Sequence, residues 1–288
     1  MEWFTEPFEF AFQQRAMLGG ALAAIAGAVV GTWVVIRGMS FLGDALIHGV
    51  IPGITLAILL DFNVFIGAGM AAAVMIAGIN LVHRQTVFSE DTGIGLLFVG
   101  MLGLGVIFIS RSPSYSGGIT AILFGDTLGV QASDIQVLAV VTAVVVLISL
   151  ILYRPFLVLS FNETKASLLG LRPSLTNAAL LTLITLSIVG SYRTVGTLLA
   201  FGLLVGPPAT AALLVRRVPS MMVMSAVVGV ISVAAGLVIS YHANTSGSAT
   251  MAVLPVVLFF LVLAVTNLRE KIASSAQDAH DDSETVVC

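Results

Sequence analysis

Six intervals of this chain, 16–36, 62–82, 92–110, 135–153, 173–192 and 194–215, contain no Asp, Glu, Lys, Arg or His. Each is about as long as the ~20 residues a helix needs to cross the hydrocarbon core of a bilayer. The interval 218–268 holds one ionisable residue, His242, inside the polar run His242-Ala243-Asn244-Thr245-Ser246-Gly247-Ser248. That run divides it into spans near 218–241 and 250–268. Residues 38–60 make one further span, and this one contains Asp44 and His48. The pattern predicts nine crossings. Charged residues are 9% of the 288, against about 25% in a soluble domain, so a soluble surface cannot be built.

A backbone in lipid must satisfy its own hydrogen bonds, and the period-2 alternation of a barrel is absent, so the expected fold is all-α and polytopic. Basic residues set the expected orientation. With the longest polar loop, 154–174, in the cytoplasm, that side collects Arg37, Arg84, Arg154, Lys165, Arg172, Arg216, Arg217, Arg269 and Lys271. The other side keeps Arg15, Arg111 and Arg193. The bias puts the N-terminus outside and the C-terminus inside, as an odd number of crossings requires.

Three regions follow. Residues 1–15 place Phe4, Phe8 and Phe12 on one helical face and Glu2, Glu6, Glu9 and Gln13 on the opposite one, the pattern of an amphipathic segment on the outer membrane surface. Glutamates precede the first arginine, unlike the basic start of a signal peptide. Residues 16–268 form the transmembrane domain, and 269–288 read as a solvated, disordered acidic tail. Cys288 is the only cysteine, so no disulfide forms within the chain. The net charge of −3 gives no reason to expect a nucleic-acid partner.

Ionisable side chains inside a span are costly and functional by default. Asp44 and His48 are four residues apart, so on a helix they share a face about one turn apart. A carboxylate and an imidazole so placed can hold one divalent cation at roughly 2.0–2.2 Å; a hydrogen-bonded pair that only fixes helix packing is the other reading. Two ligands are too few for a structural zinc site and suit an ion in transit. Water or a second copy of the pair would complete the shell. No cysteine lies in a span, which argues against monovalent copper. Zinc, manganese and ferrous iron all fit, and the pair does not choose among them. Asp126, in Leu123-Phe124-Gly125-Asp126, reads as an outer-loop or cap residue, with a cation entrance as the alternative. His242 reads as an outer-loop residue.

Enzymatic readings fail on missing motifs. Gly43-Asp44 and Gly125-Asp126 lack the fuller signature of an intramembrane aspartyl protease, and no His-Glu-x-x-His occurs. Neither Lys165 nor Lys271 sits in a phosphate-binding loop, so transport energy comes from an ion gradient or from a partner ATPase. Loop 154–174 bears on that choice. Asn162 is a good N-cap, Ala166 to Leu169 favour helix and Gly170 is a good stop. A short cytoplasmic helix with a small-residue face is what a membrane subunit would insert into a partner's groove.

Taken together, the segments resemble the permease subunits of ATP-binding-cassette importers for zinc, manganese and related divalent metals. Met39-Ser40-Phe41-Leu42-Gly43-Asp44-Ala45-Leu46-Ile47-His48-Gly49-Val50-Ile51-Pro52-Gly53 is similar to that family's second-helix motif. Arg84 to Gly95 is similar to its next cytoplasmic signature. Val195 to Leu199 and Leu204 to Ala211 are similar to its late, proline-containing helix. The resemblance implies a homodimer in a prokaryotic cell membrane, two cytoplasmic ATPase subunits and an extracytoplasmic metal-binding protein. It implies that Asp44 and His48 line the path of a metal that is cargo, with no permanently bound cofactor. It also implies that 161–171, with Asn162, Glu163, Ala166 and Gly170, is the helix that couples to the ATPase. A proton-driven secondary transporter is the alternative; such folds often carry internal repeats, and none is evident.

Overall fold

The computed structural model describes the backbone of residues 6–85, 90–110 and 129–285, and all of the described secondary structure is helical. A 3-10 turn over Glu6–Glu9 leads into α1 (Ala11–Ile36). It is followed by α2 (Ser40–Gly49), α3 (Ile51–Leu59), α4 (Val64–Gln85), α5 (Glu90–Ser110) and α6 (Ala132–Ile151). Then come α7 (Tyr153–Phe161), α8 (Glu163–Leu168), α9 (Pro173–Leu214), α10 (Val218–Ala243) and α11 (Gly247–Thr285). Among the described residues, seven stretches are long and apolar enough to cross a membrane, with α2 and α3 counting as one over Ser40–Leu59. Val64–Ile79 and Leu199–Leu214 are apolar but shorter. Each of the nine sequence intervals thus holds a helix, and the chain is a multi-pass membrane protein.

Two helices are broken, each for a local reason: the expected single span 38–60, and α9, which runs through the two expected spans 173–192 and 194–215. Val50 ends α2 and begins α3, and Pro52 stands in the first turn of α3. A proline has no N–H to give the carbonyl four residues back, here that of His48, so the helix can change course at this point. In α9, Gly196 has φ 72° and ψ 173°, a conformation essentially restricted to glycine. The chain reverses there, as its neighbours show. Arg37, at the end of α1, donates to Asn177 Oδ1 over 2.7 Å, whereas Gly19, near its start, lies against Thr194. Gly31 then meets Leu204 and Pro208. The first half of α9 therefore runs antiparallel to α1 and the second half parallel to it.

Other contacts fix the remaining directions. Gly20 packs on Val233, and Gly229 on Ala24, so α10 is antiparallel to α1. Gly202 meets Ala252 and Gly206 meets Pro255, so α11 follows the second half of α9. Gly49 faces Met75 and Gly53 faces Gly67, which makes α4 antiparallel to α2 and α3. Gly78 meets Leu97 and Gly93 meets Val82, reversing direction again into α5. Thr142 donates to Leu22 O over 3.2 Å and Trp33 Nε1 to Ser149 Oγ over 3.1 Å, so α6 runs with α1. Successive spans alternate in direction throughout.

Small residues set the spacing of these helices, as expected where lipid gives no hydrophobic drive for helices to associate. A Cβ on Gly31 would collide with the Leu204 carbonyl oxygen, and one on Gly27 would lie 3.2 Å from that of Leu203. Those are the two carbonyls that Pro207 and Pro208 leave without their helical donors. The glycines of α1 let its backbone approach them closely. The main core surrounds Trp33, which is fully buried, with Leu42, Leu46 and Ile47 of α2, Met75 of α4, and Ile184 and Leu204 of α9. Tyr153 and Phe156 close around the indole at ring distances of 5.6 and 5.7 Å.

At the chain ends, Pro7 is buried and Gln14 Nε2 donates to Phe8 O over 2.7 Å. The amphipathic entry segment is thus a 3-10 turn feeding straight into α1. The backbone stays helical as far as Thr285, where composition suggested a disordered tail. Asp126 lies outside the described residues.

Candidate metal-binding site

The site begins with the face that α2 leaves uncovered. Leu42, Ala45, Leu46 and Ile47 are buried in the core, which fixes how the helix is turned. Asp44 and His48 are left on the opposite side with side-chain exposures of 29% and 25%. His48 Nε2 stands 3.5 Å from Asp44 Oδ1. That is long for a hydrogen bond and close to the ~3.4 Å expected between two ligand atoms about 2.1 Å from one cation at a tetrahedral angle. The separation fits a shared ion as well as a direct contact between the two side chains.

His48 Nδ1 is turned into the protein and, among the described residues, has no hydrogen-bond partner. The Phe98 ring of α5 meets the imidazole edge-on at 5.8 Å. A metal-bound histidine ordinarily donates its other N–H to a second group, and losing such a partner typically costs 10–100-fold in affinity, as an order of magnitude. With Nε2 facing Asp44, the proton would have to sit on buried Nδ1 while Nε2 holds an ion. This chemistry favours brief occupancy. Among the described residues, no group of three or more His, Cys, Asp or Glu is placed to hold a metal.

The backbone around the pair is unusually tight. A Cβ on Gly43 would lie 2.9 Å from Leu204 Cδ2, and one on Gly49 would strike Met75 Sδ. Just beyond the break at Val50, the backbones of α3 and α4 touch at Gly53 and Gly67, and Ile51 of α3 fills the space beside Gly105 of α5. Of the residues that surround the pair, only Phe41 was accessible to sequence reasoning, since it precedes Asp44 by three residues on one helix. Phe98 and Met75 come from other helices, and no spacing rule reaches them.

At the end of the bundle where α1 finishes, α7 and α8 form the projecting loop. Asn162 caps α8, its Oδ1 accepting from the Lys165 N–H over 2.8 Å. Gly170 closes the helix at φ +71°, with the Leu171 N–H reaching Ala166 O over 3.0 Å. Asn162 and Gly170 therefore shape the loop, and Glu163 opens its helix. Ala166 is only 1% exposed and points inward. The face turned outward is large and apolar: Phe161 is 74% exposed and Leu168 83%, with Leu169 beside them. His242 sits at the opposite end of the bundle, its ring 5.2 Å from Tyr241, which in turn lies 6.2 Å from Phe10.

The described residues make a helical, multi-pass membrane protein with a carboxylate and an imidazole paired inside a span. Residues 9–266 match the family described as ABC 3 transport family, and the chain belongs to it. It is 34% identical over 256 residues to the manganese transport system membrane protein MntC of Listeria monocytogenes, covering 88% of this chain and 90% of that one. It is 30% identical over 268 residues to a probable iron transport system membrane protein of Haemophilus influenzae, covering 93% and 98%. Among solved structures, it is similar to PsaBC from Streptococcus pneumoniae in complex with Fab, with a TM-score of 0.82 at 31% identity, covering 91% of this chain and 94% of that one.

Proposed function

We propose that this protein is the membrane-spanning subunit of an ATP-driven importer that carries a divalent transition metal into the cytoplasm by alternating access. The 3.5 Å separation of Asp44 and His48, inside a span of a chain otherwise almost free of intramembrane charge, carries the reading. Membership of an ABC transport family supports a partner ATPase as the energy source. Two relatives named for manganese and iron transport support those metals, and the Asp–His pair is equally compatible with zinc.

The chain crosses the membrane nine times, with its N-terminus outside. The alternating helix directions and the reversal at Gly196 support that count, and the distribution of basic residues supports the orientation. An extracytoplasmic metal-binding protein releases the ion into the path. Asp44 and His48 replace part of its hydration shell, and the same pair from a second copy completes the coordination. The loop 161–171 docks on the ATPase through Phe161, Leu168 and Leu169, held in shape by Asn162 and Gly170. Closure of the ATPases then rocks the bundle and opens the path inward.

Metal content of cells by mass spectrometry tests the reading. In a metal-starved strain lacking this gene, the wild-type protein is expected to restore manganese, iron or zinc in an ATP-dependent manner. Uptake that stops when the proton gradient collapses but ATP remains would favour a secondary transporter instead.

A further inference from the structure

Phe41, Asp44 and His48 are spaced i, i+3 and i+7 along α2 and so lie on one face of it. Phe41 is the residue of that face nearest the end from which loop 161–171 projects, and its ring is 44% exposed. Phe98 of α5 packs against both ends of the triplet. Its ring centroid is 6.1 Å from that of Phe41 and 5.8 Å from that of His48. Phe98 therefore bridges the helical turn that carries the carboxylate. Gly95, one turn earlier on α5, lies beside the same ring: a Cβ there would stand 3.9 Å from Phe41 Cε1, in ordinary contact. Toward that end of α2, the face carrying the pair continues into the contact between the two phenyl rings.

We propose that Phe41 and Phe98 form a dry collar on the cytoplasmic side of the Asp44–His48 site, which the ion crosses only when the bundle rearranges. The inference rests on the reading of Asp44 and His48 as the ion site. A divalent cation that leaves Asp44 and His48 has to regain water in place of the two side chains. An apolar constriction resists a hydrated ion by excluding its water. The ring edges give that ion nothing to replace the water with. Phe98 has a second consequence as a positioning residue. Its edge contact holds the imidazole plane, keeping Nε2 toward Asp44 while Nδ1 stays buried.

The test uses the complex of this protein with its ATPase partner in proteoliposomes enclosing a manganese-sensitive dye, with Mn²⁺ added outside. Flux is read with and without ATP for wild type, F98A, F98L and the double variant F41A/F98A, each checked for assembly. F98A and the double variant are expected to raise ATP-independent flux by roughly tenfold, the factor that ~1.36 kcal/mol off a barrier gives. F98L keeps the constriction dry and is expected to stay near the wild-type baseline. A collar variant that assembles but shows no ATP-independent flux overturns the proposal, and so does a leak through F98L equal to that of F98A. D44A and H48A, run in parallel, separate the two readings. If they abolish ATP-driven uptake while F98A stays tight, the collar alone is wrong. If they transport like wild type, the ion does not pass this point and both readings fall.

Discussion

Single side chains decide whether this fold has a site at all. Asp44 and His48 are tolerated in a span because the rest of α2 is locked into the core by Leu42, Leu46 and Ile47, which leaves the pair no way to turn aside. Trp33 anchors that core through one hydrogen bond to Ser149. Trp33→Phe leaves the Ser149 hydroxyl buried without its donor, and is expected to lower stability by about 1–3 kcal/mol. A reduced melting temperature of the detergent-solubilised protein, with metal uptake at permissive temperature preserved, checks this. The pair was legible in the sequence because charge is so rare in the spans. Its surroundings were not: the Phe98 ring against His48 comes from α5 and the Met75 thioether beside Gly49 from α4, and only folding brings them there.

At the scale of elements, glycines against backbone differ from glycines against flexible side chains. A Cβ on Gly53 would strike the Gly67 carbonyl, which cannot move without parting α3 from α4, whereas one on Gly49 meets the mobile end of Met75. Gly53→Ala is expected to destabilise by about 1–3 kcal/mol. Gly49→Ala, which displaces the buried but flexible Met75 side chain and no backbone, is expected to cost less, and thermal melting of the two variants side by side distinguishes them. The projecting loop makes a similar contrast. Asn162→Ala removes the cap of α8 and costs about 1 kcal/mol of local helix stability, whereas Leu168→Asp leaves the loop folded and spoils its outward apolar face. The latter is expected to abolish ATPase coupling while the subunit still reaches the membrane, as uptake and membrane-level measurements on the same cells would show. Asn162 and Gly170 were readable as cap and stop from local rules. The inward turn of Ala166 was not, because burial of that methyl depends on how the loop lies on its neighbours.

Across the whole molecule, the nine apolar intervals were legible because a bilayer imposes one length on every span. The breaks were only half legible. Pro52 announces a weakness near His48 and Arg193 divides 173–192 from 194–215, but nothing marks Gly196 among 28 glycines as the residue that takes the positive φ. The alternating directions make a prediction of their own. Replacing Cys288 yields a cysteine-free chain, into which single cysteines can be placed at Ser167 and Thr245. An impermeant thiol reagent added to intact cells is expected to label the second and spare the first. Labelling of both from one side would contradict the nine-crossing arrangement.

The account stands or falls on whether the intramembrane pair carries the metal. The most direct measurement is the cellular content of manganese, iron and zinc in a metal-starved strain lacking this gene, complemented with wild type, Asp44→Ala or His48→Ala at matched membrane levels. The account predicts that wild type restores one of these metals and that both variants fail while still present in the membrane. Uptake by the variants equal to wild type would show that Asp44 and His48 are packing residues and that the ion travels elsewhere.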